Sequence, residues 1–262
     1  MTDSAPCPAS EPQIMAAPNG ARKTKADHPA LPMTIAETLA CARACHAAGA
    51  TALHLHVRDA SGRHSIDAGL YREALAELER EVPGMAVQVT TESGGIFDVA
   101  AQYALLRDLR PGWASLSLRE AARDRALAQR LYALCRDQGT RLQHIVFDAD
   151  DAALLADWQA RGILGLQESV ILVLGRYRPD MQSDPGDLGK LLDSLPPVGR
   201  WMLCAFGRRE HACLMRAAAL GGDVRVGFEN SHQRQDGTPW PEMSASVRAL
   251  AASLAAGAAN RG

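Results

Sequence analysis

The feature that most constrains the fold of this chain is an alternation of short apolar runs with longer amphipathic segments, repeated eight times. Short apolar runs predict buried strands, and the segments between them have helical spacing. Parallel strands need helical crossovers, so the alternation predicts a parallel sheet covered by helices. The candidate strands are Gln13–Ala17, Ala52–Val57, Ala86–Thr91, Trp113–Leu118, Leu142–Phe147, Val170–Leu174, Trp201–Phe206 and Asp223–Phe228.

The first predicted helix has clear boundaries. Thr34 and Glu37 form a T-x-x-E capping box, and the apolar run stops at Gly49. The pair Gly221-Gly222 ends the seventh helix in a similar way. The other predicted helices are Ala68–Glu81, Val99–Leu109, Ala121–Asp137, Asp151–Arg161, Gly186–Leu195, Arg208–Leu220 and Glu242–Ala256.

Eight strands that close on themselves form a (β/α)₈ barrel, and barrels of about 250 residues commonly form one domain. The chain has 262 residues, so we expect a disordered tail at 1–12 and a single barrel domain at 13–262. An open doubly wound sheet is the alternative. It would be favoured by a glycine-rich dinucleotide turn after the first strand, and the segment there reads APNGARKTKADHP.

Composition excludes several classes of partner. The net charge of −2 with interspersed signs gives no electrostatic basis for binding nucleic acid or an anionic membrane. The N-terminus lacks the apolar core of a signal peptide, and no apolar run approaches the roughly 18 residues of a membrane span. We therefore expect a cytoplasmic protein whose cysteines are thiols. The cysteines are Cys7, Cys41, Cys45, Cys135, Cys204 and Cys213.

Cys41 and Cys45 lie one helical turn apart, a spacing that also occurs in metal-binding pairs. No second pair of cysteines or histidines lies nearby to complete a tetrahedral site. We therefore interpret both as core residues.

The second candidate strand carries the strongest chemical feature, in the segment Thr51–Asp59, TALHLHVRD. His54 and His56 alternate with apolar residues, so both imidazoles share one face of the strand. If the apolar face packs on the helices, the histidines point into the barrel mouth, where barrel active sites form. Interior histidines satisfied by hydrogen bonds are the alternative, but two adjacent imidazoles at a strand end favour a shared metal ion.

The eighth candidate strand offers a third ligand. Arg225, Gly227 and Glu229 share one face, and Glu229 falls at the carboxyl end of that strand. Closure of the barrel brings this strand close to the second one, with only the first between them. Two imidazoles and a carboxylate leave a coordination position open for water or substrate. Such a set suits zinc and also iron, manganese or cobalt.

At this point the sequence resembles the β-keto acid cleavage enzyme family. The resemblance extends from Ile14 to Val247 and rests on six short motifs in the family's order. They read Asn19-Gly20-Ala21, Leu31-Pro32-Met33-Thr34, Ala48-Gly49-Ala50, His54-Leu55-His56-Val57-Arg58, Val173-Leu174-Gly175 and Gly221-Gly222-Asp223-Val224-Arg225-Val226-Gly227-Phe228-Glu229.

The resemblance implies a zinc-dependent acyltransferase of barrel fold, active in amino acid catabolism. It would convert a β-keto acid and acetyl-CoA into acetoacetate and an acyl-CoA. By the same resemblance, the metal is held by His54, His56 and Glu229. Thr90 and Ser115 would bind the keto acid, and Arg225 would face a carboxylate or a developing enolate. We also expect a homo-oligomer.

Two departures from the family concern proton transfer. The family usually has an aspartate acting as general base directly after the metal-binding glutamate, and this chain has Asn230. An amide cannot take a proton near neutral pH. The family's Thr-Gly-Gly after the third strand is replaced by Thr91-Glu92-Ser93, which places Glu92 at the mouth as a candidate base. Because of Asn230, a metal-binding protein without catalytic activity remains an alternative interpretation.

Two further departures concern the substrate. A family member has glutamate where this chain has Arg22, and a cation there favours a second anionic group on the substrate. A solvated loop arginine is the alternative. On the fifth strand, where acidic residues are common in the family, this chain has Gln143 and Ile145.

CoA binding would need basic loops near the barrel mouth. Arg176 and Arg178 follow the sixth strand, and Arg208 and Arg209 follow the seventh. Loops after late barrel strands are common phosphate sites, although solvated arginines also occur there. A metal-dependent hydrolase or aldolase-type lyase that works without CoA remains the alternative enzyme.

Overall fold

The computed structural model describes residues 11–259 and shows a closed barrel of parallel strands. The strands in this range are β1 (Ile14–Ala16), β2 (Ala52–Leu55), β3 (Val57–Arg58), β4 (His64–Ser65), β5 (Ala86–Thr90), β6 (Trp113–Ser117), β7 (Arg141–Val146), β8 (Ser169–Leu174), β9 (Trp201–Ala205) and β10 (Asp223–Val226). The order around the barrel is β1-β10-β9-β8-β7-β6-β5-β2, with parallel pairing at every step. The predicted barrel is confirmed, and the open doubly wound sheet is excluded.

Helices alternate with the barrel strands. They are α1 (Ile35–Ala47), α2 (Ala68–Glu81), α3 (Val99–Leu109), α4 (Leu118–Ala121), α5 (Arg125–Gln138), α6 (Ala149–Ala160), α7 (Asp187–Asp193), α8 (Glu210–Ala219) and α9 (Met243–Ala259). The predicted capping box of α1 is present. The hydroxyl of Thr34 accepts from the Glu37 amide at 3.2 Å, and the Glu37 carboxylate accepts from the Thr34 amide at 3.3 Å.

The prediction of one helix over Ala121–Asp137 is wrong. The chain forms α4, then a short 3₁₀ helix at Ala122–Asp124, and only then α5. The carboxylate of Asp124 accepts a hydrogen bond from the Leu127 amide at 2.9 Å and so caps α5. An aspartate that binds backbone amides in this way starts a new helix instead of continuing the old one.

The prediction that the second strand runs to Val57 also needs correction. β2 ends at Leu55, and Val57 and Arg58 form β3, which pairs antiparallel with β4 in a hairpin. His56 therefore lies between the barrel strand and the hairpin. The contacts of Arg58 explain why the chain leaves the barrel strand after Leu55. Its guanidinium donates to the carbonyls of Gly20, Ala21, Gly62 and Lys23. These bonds fasten the hairpin to the loop that follows β1.

Apolar side chains form two separate clusters. The outer cluster lies between strands and helices and includes Leu53, Leu55 and Val57. The inner cluster fills the barrel with Met15, Ala52, Trp113, Ile171, Val173, Met202, Cys204 and Phe206. Because the three apolar residues around His54 and His56 pack outward, the two imidazoles lie on the inner side, and both are almost fully buried.

The cysteines in the described range are free thiols, as predicted. Cys41 and Cys45 pack together with Sγ atoms 4.0 Å apart, and Cys41 Sγ lies 3.7 Å from the Met243 sulfur, which fits core residues. Cys7 and most of the expected tail at 1–12 lie outside the described residues. Between residues 11 and 259, no helix is long and apolar enough to cross a membrane.

Gly227 allows the first and last barrel strands to approach each other. Its φ is +150°, and a Cβ there would lie 2.4 Å from the Ala17 carbonyl oxygen and 2.5 Å from the Met243 methyl group. We expect Gly227→Ala to lower the free energy of unfolding by about 1–3 kcal/mol more than a control, because the new methyl overpacks the closure. Urea unfolding of Gly227→Ala and of the control variant measures the loss of free energy of unfolding in each.

The control is Gly84→Ala, since Gly84 also has a positive φ, of +89°, but a Cβ there meets nothing within 4 Å. Gly84→Ala carries only the backbone penalty of about 1–2 kcal/mol. Equal losses for the two variants would contradict a special role for Gly227 in closure.

Candidate metal centre

Closure of the barrel brings His54, His56 and Glu229 together at the carboxyl ends of the strands. The Nε2 atoms of His54 and His56 are 3.1 Å apart. The Oε2 atom of Glu229 lies 3.7 Å from Nε2 of His54 and 3.6 Å from Nε2 of His56. All three side chains therefore present one donor atom to the same small volume, and they form a group able to hold a metal ion.

The spacing of these donors fits a single ion. Zinc ligands lie about 2.0–2.2 Å from the metal, so neighbouring donors of a tetrahedral site are about 3.4 Å apart. The three distances here scatter around that value. The Oε2 atom of Glu229 is buried without a hydrogen-bond partner among residues 11–259. A buried carboxylate oxygen left without a partner is costly, and a bound cation removes that cost.

The charge state of the three groups also suits a cation. Burial, assisted by the nearby Arg225 charge, lowers the pKa of His54 to about 4. Burial lowers the pKa of His56 well below its usual value. Burial alone would raise the pKa of Glu229, but Arg225 and His54 outweigh it, and the net pKa is lowered. Near neutral pH the site therefore offers two neutral imidazoles and one carboxylate, the forms that bind metals.

A chain of buried amides orients His54. Its Nδ1 atom lies 2.8 Å from Oε1 of Gln88, and Nε2 of Gln88 donates to Oε1 of Gln143 at 2.9 Å. Gln143 in turn donates to the Ser169 hydroxyl at 3.3 Å. Because the Gln88 amide group is engaged with Gln143, its oxygen faces His54, which places the imidazole proton on Nδ1. The Nε2 lone pair is thereby left for a metal.

Two contacts hold Glu229. Arg225 donates from Nη2 to Oε1 of Glu229 at 3.1 Å and also contacts the Cys204 sulfur at 3.2 Å. On the other side the backbone of Gly20, with φ of +64°, lies against the carboxylate stem, and a Cβ there would be 2.5 Å from Glu229 Cγ. Only glycine fits this approach, which gives a physical reason for the Asn19-Gly20-Ala21 motif.

Two cavities open beside the three donors. The inner cavity, of about 70 Å³, includes His54, Thr90, Glu92, Arg225 and Glu229 in its wall. The outer cavity, of about 290 Å³, shares Glu92 and Glu229 and continues along the loop after β1. A ligand bound at the three donors would therefore have Glu92 beside it.

Glu92 lies close to the donors. Its Oε2 atom is 3.9 Å from Nε2 of His56, and its side chain is 25% exposed. Burial, reinforced by the negative charge of Glu229, raises the pKa of Glu92 to about 7. The loop that carries it is held by a bond from the His64 ring to the Glu92 carbonyl at 2.7 Å. The segment Thr91-Glu92-Ser93 therefore puts a carboxylate at the site.

The predicted hydroxyl residues lie on neighbouring strands. Thr90 and Ser115 are paired across β5 and β6 and are almost fully buried. Thr90 lines the inner cavity and accepts from the Glu92 amide at 3.1 Å, whereas Ser115 is not part of that wall. Ser117, two residues further along β6, does line it, and its hydroxyl has no partner within the described chain.

Asn230 is buried, and both polar atoms of its amide lack a hydrogen-bond partner in the range 11–259. It lines neither the inner nor the outer cavity.

Of the basic residues predicted for CoA, Arg176 lines both cavities and a third one of about 380 Å³, where Arg178 and Lys190 also lie. Arg208 lies apart from these three cavities, beside Gly237.

Several site residues had no role in the sequence analysis. Gln88 orients His54, Arg58 fastens the loop after β1, and Ser117 lines the inner cavity. Gln88 and Ser117 could have been found, because each is a polar residue two positions from a predicted site residue on the same buried strand. Nothing local to Arg58 indicates which carbonyls it contacts.

The fold and the three donors define a barrel protein with a candidate metal centre at the carboxyl ends of its strands. The chain belongs to the beta-keto acid cleavage enzyme family, whose sequence profile matches residues 13–259.

Two relatives have different named activities. The 3-keto-5-aminohexanoate cleavage enzyme of Fusobacterium nucleatum subsp. nucleatum is 26% identical over 226 residues, covering 83% of this chain and 82% of that protein. The 3-oxoadipate:acetyl-CoA acetyltransferase of Cupriavidus necator is 26% identical over 249 residues, covering 91% of this chain and 87% of that protein.

Among solved structures, the ternary complex of ObcA with a C4-CoA adduct and oxalate matches with a TM-score of 0.69 and 19% identity. The match covers 88% of this chain and 65% of the ObcA chain. This chain thus spans slightly less than two thirds of the length of ObcA. The type I 3-dehydroquinate dehydratase of Clostridium difficile matches with a TM-score of 0.60 and 9% identity. Both likenesses concern the barrel fold.

The amide chain behind His54 generates a test of the metal centre. We expect Gln88→Leu to weaken zinc binding by about 10- to 100-fold, because the imidazole loses the partner that fixes its tautomer and orientation. Competition with a chromogenic chelator measures the dissociation constant. Gln159→Leu is the control, since Gln159 is another buried glutamine, and its side-chain amide donates to the Gly165 and Pro197 carbonyls, away from the donor group. Equal zinc affinity in both variants would contradict the orienting role of Gln88.

Proposed function

We propose that this protein is a metal-dependent β-keto acid cleavage enzyme, with zinc as its metal and acetyl-CoA as co-substrate. The observation that carries the proposal is the group of His54, His56 and Glu229 facing two cavities at the barrel mouth. Membership in the family supports the reaction class. The name of the Cupriavidus necator relative supports acetyl-CoA, and so does the C4-CoA adduct bound to ObcA.

The net reaction fixes what the site must do. The bond between the keto carbon and C2 of the β-keto acid breaks, and C2 becomes bonded to the acetyl carbon of acetyl-CoA. The CoA sulfur leaves that acetyl carbon and takes the remaining acyl group. C2 loses a proton before it attacks and regains one in acetoacetate, so one base can serve both steps. The bound metal supplies Lewis-acid polarisation of the keto and carboxylate oxygens.

In this proposal Glu92 moves the proton. Its carboxylate lies beside the donor group and lines both cavities, whereas Asn230 has an amide that cannot accept a proton and lines neither. Arg225 lies in the wall of the inner cavity with a permanent charge, which suits the negative charge that develops on the substrate. Thr90 and the additional hydroxyl of Ser117 orient the keto acid in the same cavity.

CoA would enter from the third cavity, which shares Arg176, Tyr177, Phe147 and Val173 with the wall of the inner one. The basic side chains of Arg178 and Lys190 lie in that cavity and suit phosphates, although Arg178 also pairs with Asp187. Arg208, which the sequence also assigned to CoA, would have to contact a more distant part of the cofactor.

The reaction can be tested by the fate of a label. We expect the zinc-loaded protein to convert a β-keto acid and acetyl-CoA carrying ¹³C in the acetyl group into labelled acetoacetate and an unlabelled acyl-CoA. We expect Glu92→Gln to lower kcat by about 10²- to 10⁴-fold, because the amide cannot move the proton. Mass spectrometry of both products measures the turnover and the position of the label.

Asn230→Asp is the matched variant. If Glu92 is the base, adding Asn230→Asp to the Glu92→Gln variant restores no more than a small part of the lost rate. Wild-type turnover in Glu92→Gln, at equal zinc content, would contradict the role of Glu92. Cleavage of the keto acid without acetyl-CoA would instead identify a hydrolase or aldolase-type lyase. Activity gained only with Asn230→Asp would identify a metal-binding relative silenced at this position.

A further inference from the structure

The loop after β1 presents Arg22 to the site in a fixed position. Arg58 donates to the carbonyls of Gly20, Ala21 and Lys23, the residues on either side of Arg22. The ammonium group of Lys23 donates to the Phe228 carbonyl at 2.7 Å, which ties the same loop to the segment that carries Glu229. The backbone of Arg22 is therefore held from two directions while its side chain remains exposed.

Arg176 is a second arginine in the walls of these cavities. Both arginines line the inner cavity and the outer cavity, beside Glu92 and Glu229. Within residues 11–259 neither guanidinium forms a salt bridge. The Arg176 guanidinium instead lies over the Phe206 ring, 5.2 Å from its centroid. Two arginines that line a cavity and form no salt bridge there are suited to an anion from outside the protein.

The charged side chains that line the two cavities suit an anionic substrate. They are four bases (Arg22, Lys23, Arg176 and Arg225) and four carboxylates (Asp27, Glu92, Glu120 and Glu229), and the raised pKa of Glu92, about 7, leaves that carboxylate partly protonated near neutral pH. A divalent metal ion at the donor group adds two positive charges. A simple β-keto acid brings one negative charge, and a β-keto acid with a second carboxylate brings two.

We propose that the substrate is a β-keto dicarboxylic acid and that Arg22 and Arg176 together bind the carboxylate remote from the keto group. This inference rests on the proposed function for the orientation of the substrate, with its keto-acid end at the metal. Arg178 and Lys190, which lie only in the third cavity, remain for the phosphates of CoA. The Cupriavidus necator relative has 3-oxoadipate, a β-keto dicarboxylic acid, in its name, which is consistent with such a substrate.

Binding and turnover together test the inference. Calorimetry on the zinc-loaded protein compares adipate with hexanoate, which have the same chain length but differ in the second carboxylate. Assays with acetyl-CoA compare 3-oxoadipate with 3-oxohexanoate in the same way. Each measurement is repeated on Arg22→Gln, on Arg176→Gln and on Arg43→Gln, an exposed arginine on α1 that pairs with Glu81. Zinc content verifies that each variant keeps its metal centre.

We expect adipate to bind at least about tenfold more tightly than hexanoate, because an arginine–carboxylate bond contributes about 1.5 kcal/mol or more. Arg22→Gln and Arg176→Gln should each remove most of this preference and leave hexanoate affinity within about twofold of wild type, whereas Arg43→Gln should change neither. Equal affinity of the wild-type protein for adipate and hexanoate would overturn the inference. Equal losses of affinity for both ligands in Arg22→Gln and Arg176→Gln would also overturn it. A preference for adipate without cleavage of either keto acid would instead overturn the proposed function.

Discussion

The closure of the barrel between β1 and β10 is the constraint on which the site depends. Hydrogen bonds from Ala17 to Val226 at 2.9 Å and from Glu229 to Ala17 at 3.1 Å join the ends of these two strands. They place Oε2 of Glu229 within 3.7 Å of the imidazoles of His54, on the neighbouring β2, and of His56, directly after it. Gly227 and Gly20 permit the close approach, because a Cβ at either position would overlap with neighbouring atoms. A substitution that loosens closure should therefore disturb the donor group before it unfolds the barrel.

The donor group has buried amides on one side and charged side chains on the other. Behind His54 the buried amides of Gln88 and Gln143 bond each other, so their burial is compensated and the imidazole gains a fixed orientation. Toward the mouth, Arg225, Glu229 and Glu92 line the inner cavity. This division separates a rigid support from the surface where a substrate would bind, which is the arrangement that precise catalytic geometry requires.

The sequence predicted the architecture better than it predicted the details of the mouth. Periodicity gave the eight barrel strands, and the alternation around His54 and His56 gave the inward direction of both imidazoles. Barrel closure then grouped Glu229 with them, as the structure also does. The helix break at Asp124 and the hairpin at Val57–Arg58 depend on which backbone groups a side chain contacts, and periodicity carries no such information. The local sequence did not indicate that Asn230 is buried away from the cavities. It also did not indicate that Arg208 lies apart from them.

The most direct test of the account is the metal content of the purified protein, measured after exposure to zinc and removal of unbound ion. The comparison is a double variant, His54→Ala and His56→Ala, whose folding is verified by circular dichroism. The account predicts about one zinc ion per wild-type chain and loss of that ion in the double variant, since three protein ligands are needed for a stable site. A wild-type protein without metal, or a folded double variant that retains it, would contradict the assignment of the centre to His54, His56 and Glu229.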